Sequence, residues 1–128
     1  MEQSKPVHTI FVSVDGSHAS EEAFEIASKD IFREECDHLI VGHITDKRKE
    51  AYLPYNFKQQ FLMDNYEAKL IPYGLKARYA AREVDLMRGT KDCLWELAEM
   101  EGASIIVCGN HGRKGPKAED ETVAGTAI

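Results

Sequence analysis

The chain has 128 residues, 43% of them hydrophobic and 30% charged, which is the size and balance of one ordinary globular domain spanning 1–128. Its formal net charge of −6 would repel a polyanion and argues against a nucleic-acid partner. The sequence has no apolar stretch approaching the roughly 20 residues of a membrane-spanning helix and no signal-peptide pattern at its start, so we expect a cytoplasmic protein without a membrane partner.

The first strong signal is a β-branched and aromatic run over 9–14 that stops at the turn cluster 15–17. This pattern predicts a buried strand. Apolar residues then recur every three or four positions up to Phe32, which predicts an amphipathic helix with Ser17 as its N-cap.

A nearly continuous apolar run over 38–44 predicts a second strand, buried on both faces. The charged stretch 46–50 is expected to be a solvated loop or a helix entry, and spacing from Phe57 to Leu70 predicts a second amphipathic helix. The segment 76–84 is helical by propensity, but we predict a strand because the alternation of an α/β fold needs one there.

Gly89-Thr90 precedes a third one-faced helix, which is predicted from the spacing of residues over 93–101, with Gly102 as the residue that ends it. The apolar, β-branched segment 104–108 predicts a fourth strand, which stops at the turn cluster 109–112. Strands separated by helices predict an α/β fold with an open parallel sheet and helices on both faces.

Ligands of open parallel sheets bind at the carboxyl ends of the strands, and two glycine-bearing turns follow strong strands here. Glycines in the turn 109–112 would let backbone N–H groups approach a phosphate. The carboxylate of Asp15 would accept hydrogen bonds from ribose hydroxyls. A second interpretation of Asp15 is a turn residue that bonds its own backbone, and a second interpretation of the glycines is a simple tight turn.

The segments 12–17 and 99–115 together resemble the first-strand and fourth-strand regions of universal stress proteins. The resemblance implies a Rossmann-like, adenine nucleotide alpha hydrolase-like sheet with strand order 3-2-1-4. Members of that family usually continue into a further helix and a fifth strand, and we expect the fifth strand to be missing because the sequence stops at Ile128. The resemblance also implies a homodimer.

Nucleotide-binding members of the family carry the pattern G-x2-G-x9-G-[S/T]. Gly109 and Gly112 match its start, and Gly125-Thr126 resembles its end, although twelve residues, 113–124, stand where the pattern has nine. The resemblance implies contacts to the base, ribose and phosphates from one set of residues: Val14, Asp15, Ile44, Gly109, Asn110, His111, Gly112, Arg113, Gly125, Thr126 and Ala127. Val14 and Ile44 would flank the base, and their alternative role is plain core packing.

The implied ligand is ATP or another adenine nucleotide, with Mg²⁺, in a protein of stress response or signalling. No catalytic set is evident, so at most slow ATP hydrolysis is expected. The segment from Gly112 lacks the GxxxxGK[ST] spacing of a P-loop. Two alternatives stay open, which are a nucleotide-free protein-interaction module of the same fold and a weak ATP hydrolase. The three cysteines, Cys36, Cys93 and Cys108, show no CxxC spacing and are expected to be reduced thiols.

Overall fold

A computed structural model describes residues 5–109 of the chain. These residues form a four-stranded sheet in the order β3-β2-β1-β4, and every neighbouring pair is parallel. The strands are β1 (Thr9–Ser13), β2 (His38–Thr45), β3 (Ala77–Glu83) and β4 (Ile105–Val107). The predicted α/β class and the strand order 3-2-1-4 are confirmed.

Helices connect the strands in the predicted alternation. They are α1 (His18–Ile26), which continues as a π-helical turn over Ala27–Ile31, α2 (Lys47–Glu50), α3 (Gln59–Leu70) and α4 (Thr90–Met100), with short 3₁₀ segments at Tyr55–Phe57 and Ile71–Lys76. The hydroxyl of Ser17 accepts the N–H of Ser20 at 3.1 Å, as expected of an N-cap. Gly102, which follows α4, has a φ of 78°.

Two hydrophobic cores lie on the two faces of the sheet. On one face, alternate residues of β1 and β2 such as Ile10 and Leu39 pack against side chains of α1 and α3, including Tyr66. On the other face, Phe11 and its neighbours pack against α4. The side-chain period of two therefore sends successive strand residues into different cores, which explains the continuous apolar run in β2.

Three local details differ from or refine the predictions. The charged stretch after β2 forms the short helix α2. Helix α3 begins at Gln59, two residues after Phe57, because the carboxylate of Glu50 accepts the Gln59 N–H at 2.7 Å and fixes the first turn there. The fourth strand is shorter than predicted, three residues from Ile105 to Val107. Within residues 5–109, no helix has the length and apolar character needed to cross a membrane.

Candidate functional site

The turns that follow β1 and β4 lie side by side at the carboxyl edge of the sheet. β1 pairs with β4 through Val12 and Val107, so both strands end at the same level. Gly109, just after β4, packs closely against the first turn of α1. A Cβ on Gly109 would lie 2.6 Å from the carbonyl carbon of Ala19 and closer still to the carbonyl oxygen. Only glycine fits this approach without displacing the backbone of α1.

The Asp15 side chain is exposed and forms part of the turn that precedes α1. Its Oδ1 accepts the N–H of Ser17 at 2.9 Å, and the Asp15 N–H donates to the hydroxyl of Ser20 at 3.2 Å. The alternative role of Asp15, bonding its own backbone, is therefore present in the structure. The second carboxylate oxygen has no hydrogen-bond partner among residues 5–109, so it can accept a further hydrogen bond while Oδ1 holds the turn.

His43, near the end of β2, is tied to the turn after β1. Its Nδ1 lies 2.8 Å from the carbonyl oxygen of Val14, which makes Nδ1 the protonated nitrogen, since a carbonyl only accepts. Burial lowers the pKa of His43 below its ordinary value, against the opposing effects of the Val14 carbonyl and of the charges on Asp15 and Glu50. The imidazole is thus neutral near pH 7 and joins the ends of β1 and β2.

Val14 and Ile44 do not meet in one pocket through their side chains. Val14 is 1% exposed and belongs to the core beneath α1 and α3. Ile44 is half-buried and packs against the core on the opposite face of the sheet. Both side chains have the packing role that was the alternative interpretation.

A segment from the β2–α3 connection lies on the turn after β1, which the sequence did not indicate. Gly16 has a φ of 92°, and a Cβ there would lie 2.6 Å from the Asn56 carbonyl oxygen and 2.6 Å from Cδ1 of Phe57. The glycine is thus required both by the backbone conformation and by the approach of Phe57. The one signal in the sequence was Gly16 itself, placed after a strand and before an N-cap.

Most of the predicted glycine loop lies outside the described residues. This holds for Asn110, His111, Gly112, Arg113, Gly125, Thr126 and Ala127, so of that loop only Gly109 has a described position. Within residues 5–109, no group of three or more His, Cys, Asp or Glu side chains is arranged to hold a metal ion.

The described arrangement is suited to holding a polar ligand. The first N–H groups of a helix have no partner within the helix, and its positive end attracts anions. Here Gly109 lies against that end of α1, and the Asp15 carboxylate lies on the adjoining turn. The start of α1, where Ser17 caps the Ser20 N–H, therefore lies beside an exposed carboxylate.

Comparison with solved structures identifies the fold. A structure from the universal stress protein family of Burkholderia pseudomallei matches with a TM-score of 0.59 at 20% identity, over 81% of this chain and 82% of that chain. A Mycobacterium tuberculosis protein matches with a TM-score of 0.58 at 20% identity, over 90% and 80%. A universal stress protein solved in complex with cAMP matches with a TM-score of 0.52 at 19% identity, over 88% and 79%. No protein-family model matches the sequence, and a comparison with curated proteins finds no match.

The chain therefore has a universal stress protein-like fold. The likeness extends over most of both chains in each pair, and the observed strand order is the one the resemblance implied.

Proposed function

We propose that this protein is a universal stress protein-like domain that holds an adenine nucleotide at the turns after β1 and β4. The observation that carries the proposal is the approach of Gly109 to the first turn of α1, beside the exposed Asp15 carboxylate. These two features supply the separate requirements of a nucleotide, which are close backbone for phosphate and an acceptor for ribose hydroxyls.

In this proposal the Asp15 oxygen that has no partner among residues 5–109 accepts a hydrogen bond from a ribose hydroxyl. Gly109 and the start of α1 face the phosphates, and the base lies over the ends of β1 and β2 near Ile44. The resemblance assigns further contacts with ribose and phosphates to residues beyond Gly109, among them Gly112, Gly125 and Thr126. Mg²⁺ usually binds through phosphates, waters and only one or two carboxylates, so it would come with the nucleotide.

The solved universal stress protein that contains cAMP supports an adenine nucleotide as the class of ligand. ATP is our choice within that class because the glycine pattern of the sequence resembles that of ATP-binding members. The proposal includes a role in stress response or signalling, a cytoplasmic location and a homodimer. Any ATP hydrolysis is expected to be slow, because the sequence shows no nucleophile paired with an oriented base.

The test is calorimetric titration of ATP with Mg²⁺ into protein freed of nucleotide by unfolding and refolding. We expect Asp15→Ala to weaken binding by about tenfold or more, since a hydrogen bond to a charged group is lost. Asp30→Ala is the matched control, because Asp30 is also exposed but lies in the π-helical turn at the far end of α1. Absence of binding at millimolar ATP would refute the proposal and leave a protein-interaction module of the same fold.

A further inference from the structure

The 3₁₀ segment Tyr55–Phe57 lies directly on the turn that carries Asp15. Phe57 approaches Gly16 so closely that a Cβ on the glycine would lie 2.6 Å from Cδ1 and 3.1 Å from Cα of Phe57. Consecutive Cα atoms are about 3.8 Å apart, so this ring edge is one residue from the Asp15 backbone. A nucleoside whose ribose bonds to Asp15 is long enough to reach the ring.

Hydrogen bonds hold the segment together and tie the residues that follow it to Glu50. The Phe57 N–H donates to the carbonyl oxygen of Pro54 at 2.9 Å, and the Lys58 N–H donates to that of Tyr55 at 3.1 Å. The ammonium of Lys58 donates to the backbone oxygen of Glu50 at 2.8 Å, while the Glu50 carboxylate accepts the N–H of Gln59 at 2.7 Å. These hydrogen bonds therefore hold the segment in its position on the turn after β1.

Aromatic surface stays accessible on this segment. Phe57 is only half-buried, although it is in contact with Gly16. Tyr55 is 69% exposed even though its ring lies 5.0 Å from that of Phe61. Partly exposed aromatic side chains next to the turn that carries Asp15 are suited to hold a nucleobase, because bases stack on aromatic side chains.

We propose that the Tyr55–Phe57 segment forms a wall of the nucleotide site and that Phe57 contacts the base. The inference rests on the proposed function, since it names the element that would face the base of the same ligand. The β2–α3 connection then determines which bases are accepted, while the turns after β1 and β4 hold the ribose and phosphates.

The test compares ATP with inorganic tripolyphosphate, each titrated with Mg²⁺ into the wild type, Phe57→Leu and Phe57→Tyr. We expect Phe57→Leu to weaken ATP binding by about tenfold, with tripolyphosphate binding unchanged, and Phe57→Tyr to retain the affinity for ATP. Phe32→Leu is the matched control: its ring packs against Tyr73 and it precedes β2, at the opposite edge of the sheet. It should bind ATP as the wild type does.

An independent measurement covers the case in which Phe57→Leu does not fold. In the wild type, nuclear Overhauser contacts are expected between the adenine protons of bound ATP and the ring protons of Phe57. Unchanged ATP affinity in folded Phe57→Leu, tighter binding there, or absence of those contacts would overturn this inference while ATP binding by the wild type upholds the proposed function. A wild type that binds no ATP would overturn both.

Discussion

Replacing Gly16 by alanine tests whether the β2–α3 connection is packed on the turn after β1. Gly16 and Gly89 have almost the same φ, 92° and 90°, so alanine is strained at both positions, at a cost of about 1–3 kcal/mol each. Their surroundings differ. A Cβ on Gly16 would meet Asn56 and Phe57 at 2.6 Å, whereas a Cβ on Gly89 would have no atom within 4 Å among the residues described.

The difference between the two variants therefore isolates the steric contact. Overpacking of this kind costs about 1–3 kcal/mol, so Gly16→Ala should lower the free energy of unfolding by that much more than Gly89→Ala. The assay is equilibrium unfolding in urea, with m-values compared to check that both variants unfold in the same two-state manner. Equal losses in the two variants would refute the packing of Phe57 on Gly16.

Three further outcomes are expected. Gly109→Ala should destabilise the fold by about 1–3 kcal/mol, seen as a lower urea midpoint, because the new methyl must displace the Ala19 carbonyl; an unchanged midpoint would contradict that contact. The Asp37 carboxylate is 1% exposed and accepts the backbone N–H groups of His8 and Arg33 at 3.2 and 3.0 Å. Asp37→Ala should therefore lower the free energy of unfolding by about 2–5 kcal/mol in the same assay, and Asp37→Asn by less. Equal losses in the two variants would count against a role for these bonds. Burial lowers the pKa of His43 in the folded state, so the contribution of neutral His43 to stability is complete above the unfolded pKa of about 6.5 and is lost as pH falls below it. His43→Gln should therefore reduce the change in the free energy of unfolding between about pH 7.5 and pH 5.5. An identical pH profile in the variant and the wild type would count against this role.

The first strand and the start of α1 could be predicted because their signals are local, whereas β3 was predicted only because the α/β alternation needs a strand there. The β-branched run 9–14 and the N-cap at Ser17 depend on neighbours in the sequence, and both appear in the structure within a residue of the prediction. The strand order came from the resemblance, since spacing alone does not fix how strands are arranged.

The site was less predictable because it depends on contacts between distant segments. The contact of Phe57 with Gly16 joins the β2–α3 connection, which carried little pattern, to the turn after β1. Val14 and Ile44 were expected to flank one base, yet their side chains lie on opposite faces of the sheet. That outcome depends on the register of β1 against β2, and a shift of one residue would reverse it.

The most direct test of the central claim is to locate the nucleotide by NMR. Amide resonances of the ¹⁵N-labelled protein would be followed as ATP with Mg²⁺ is added. We predict the largest shifts at 15–19 and at Gly109, where the turns after β1 and β4 adjoin the start of α1. Shifts confined to another surface, or unchanged spectra at millimolar ATP, would contradict a nucleotide site at these strand ends.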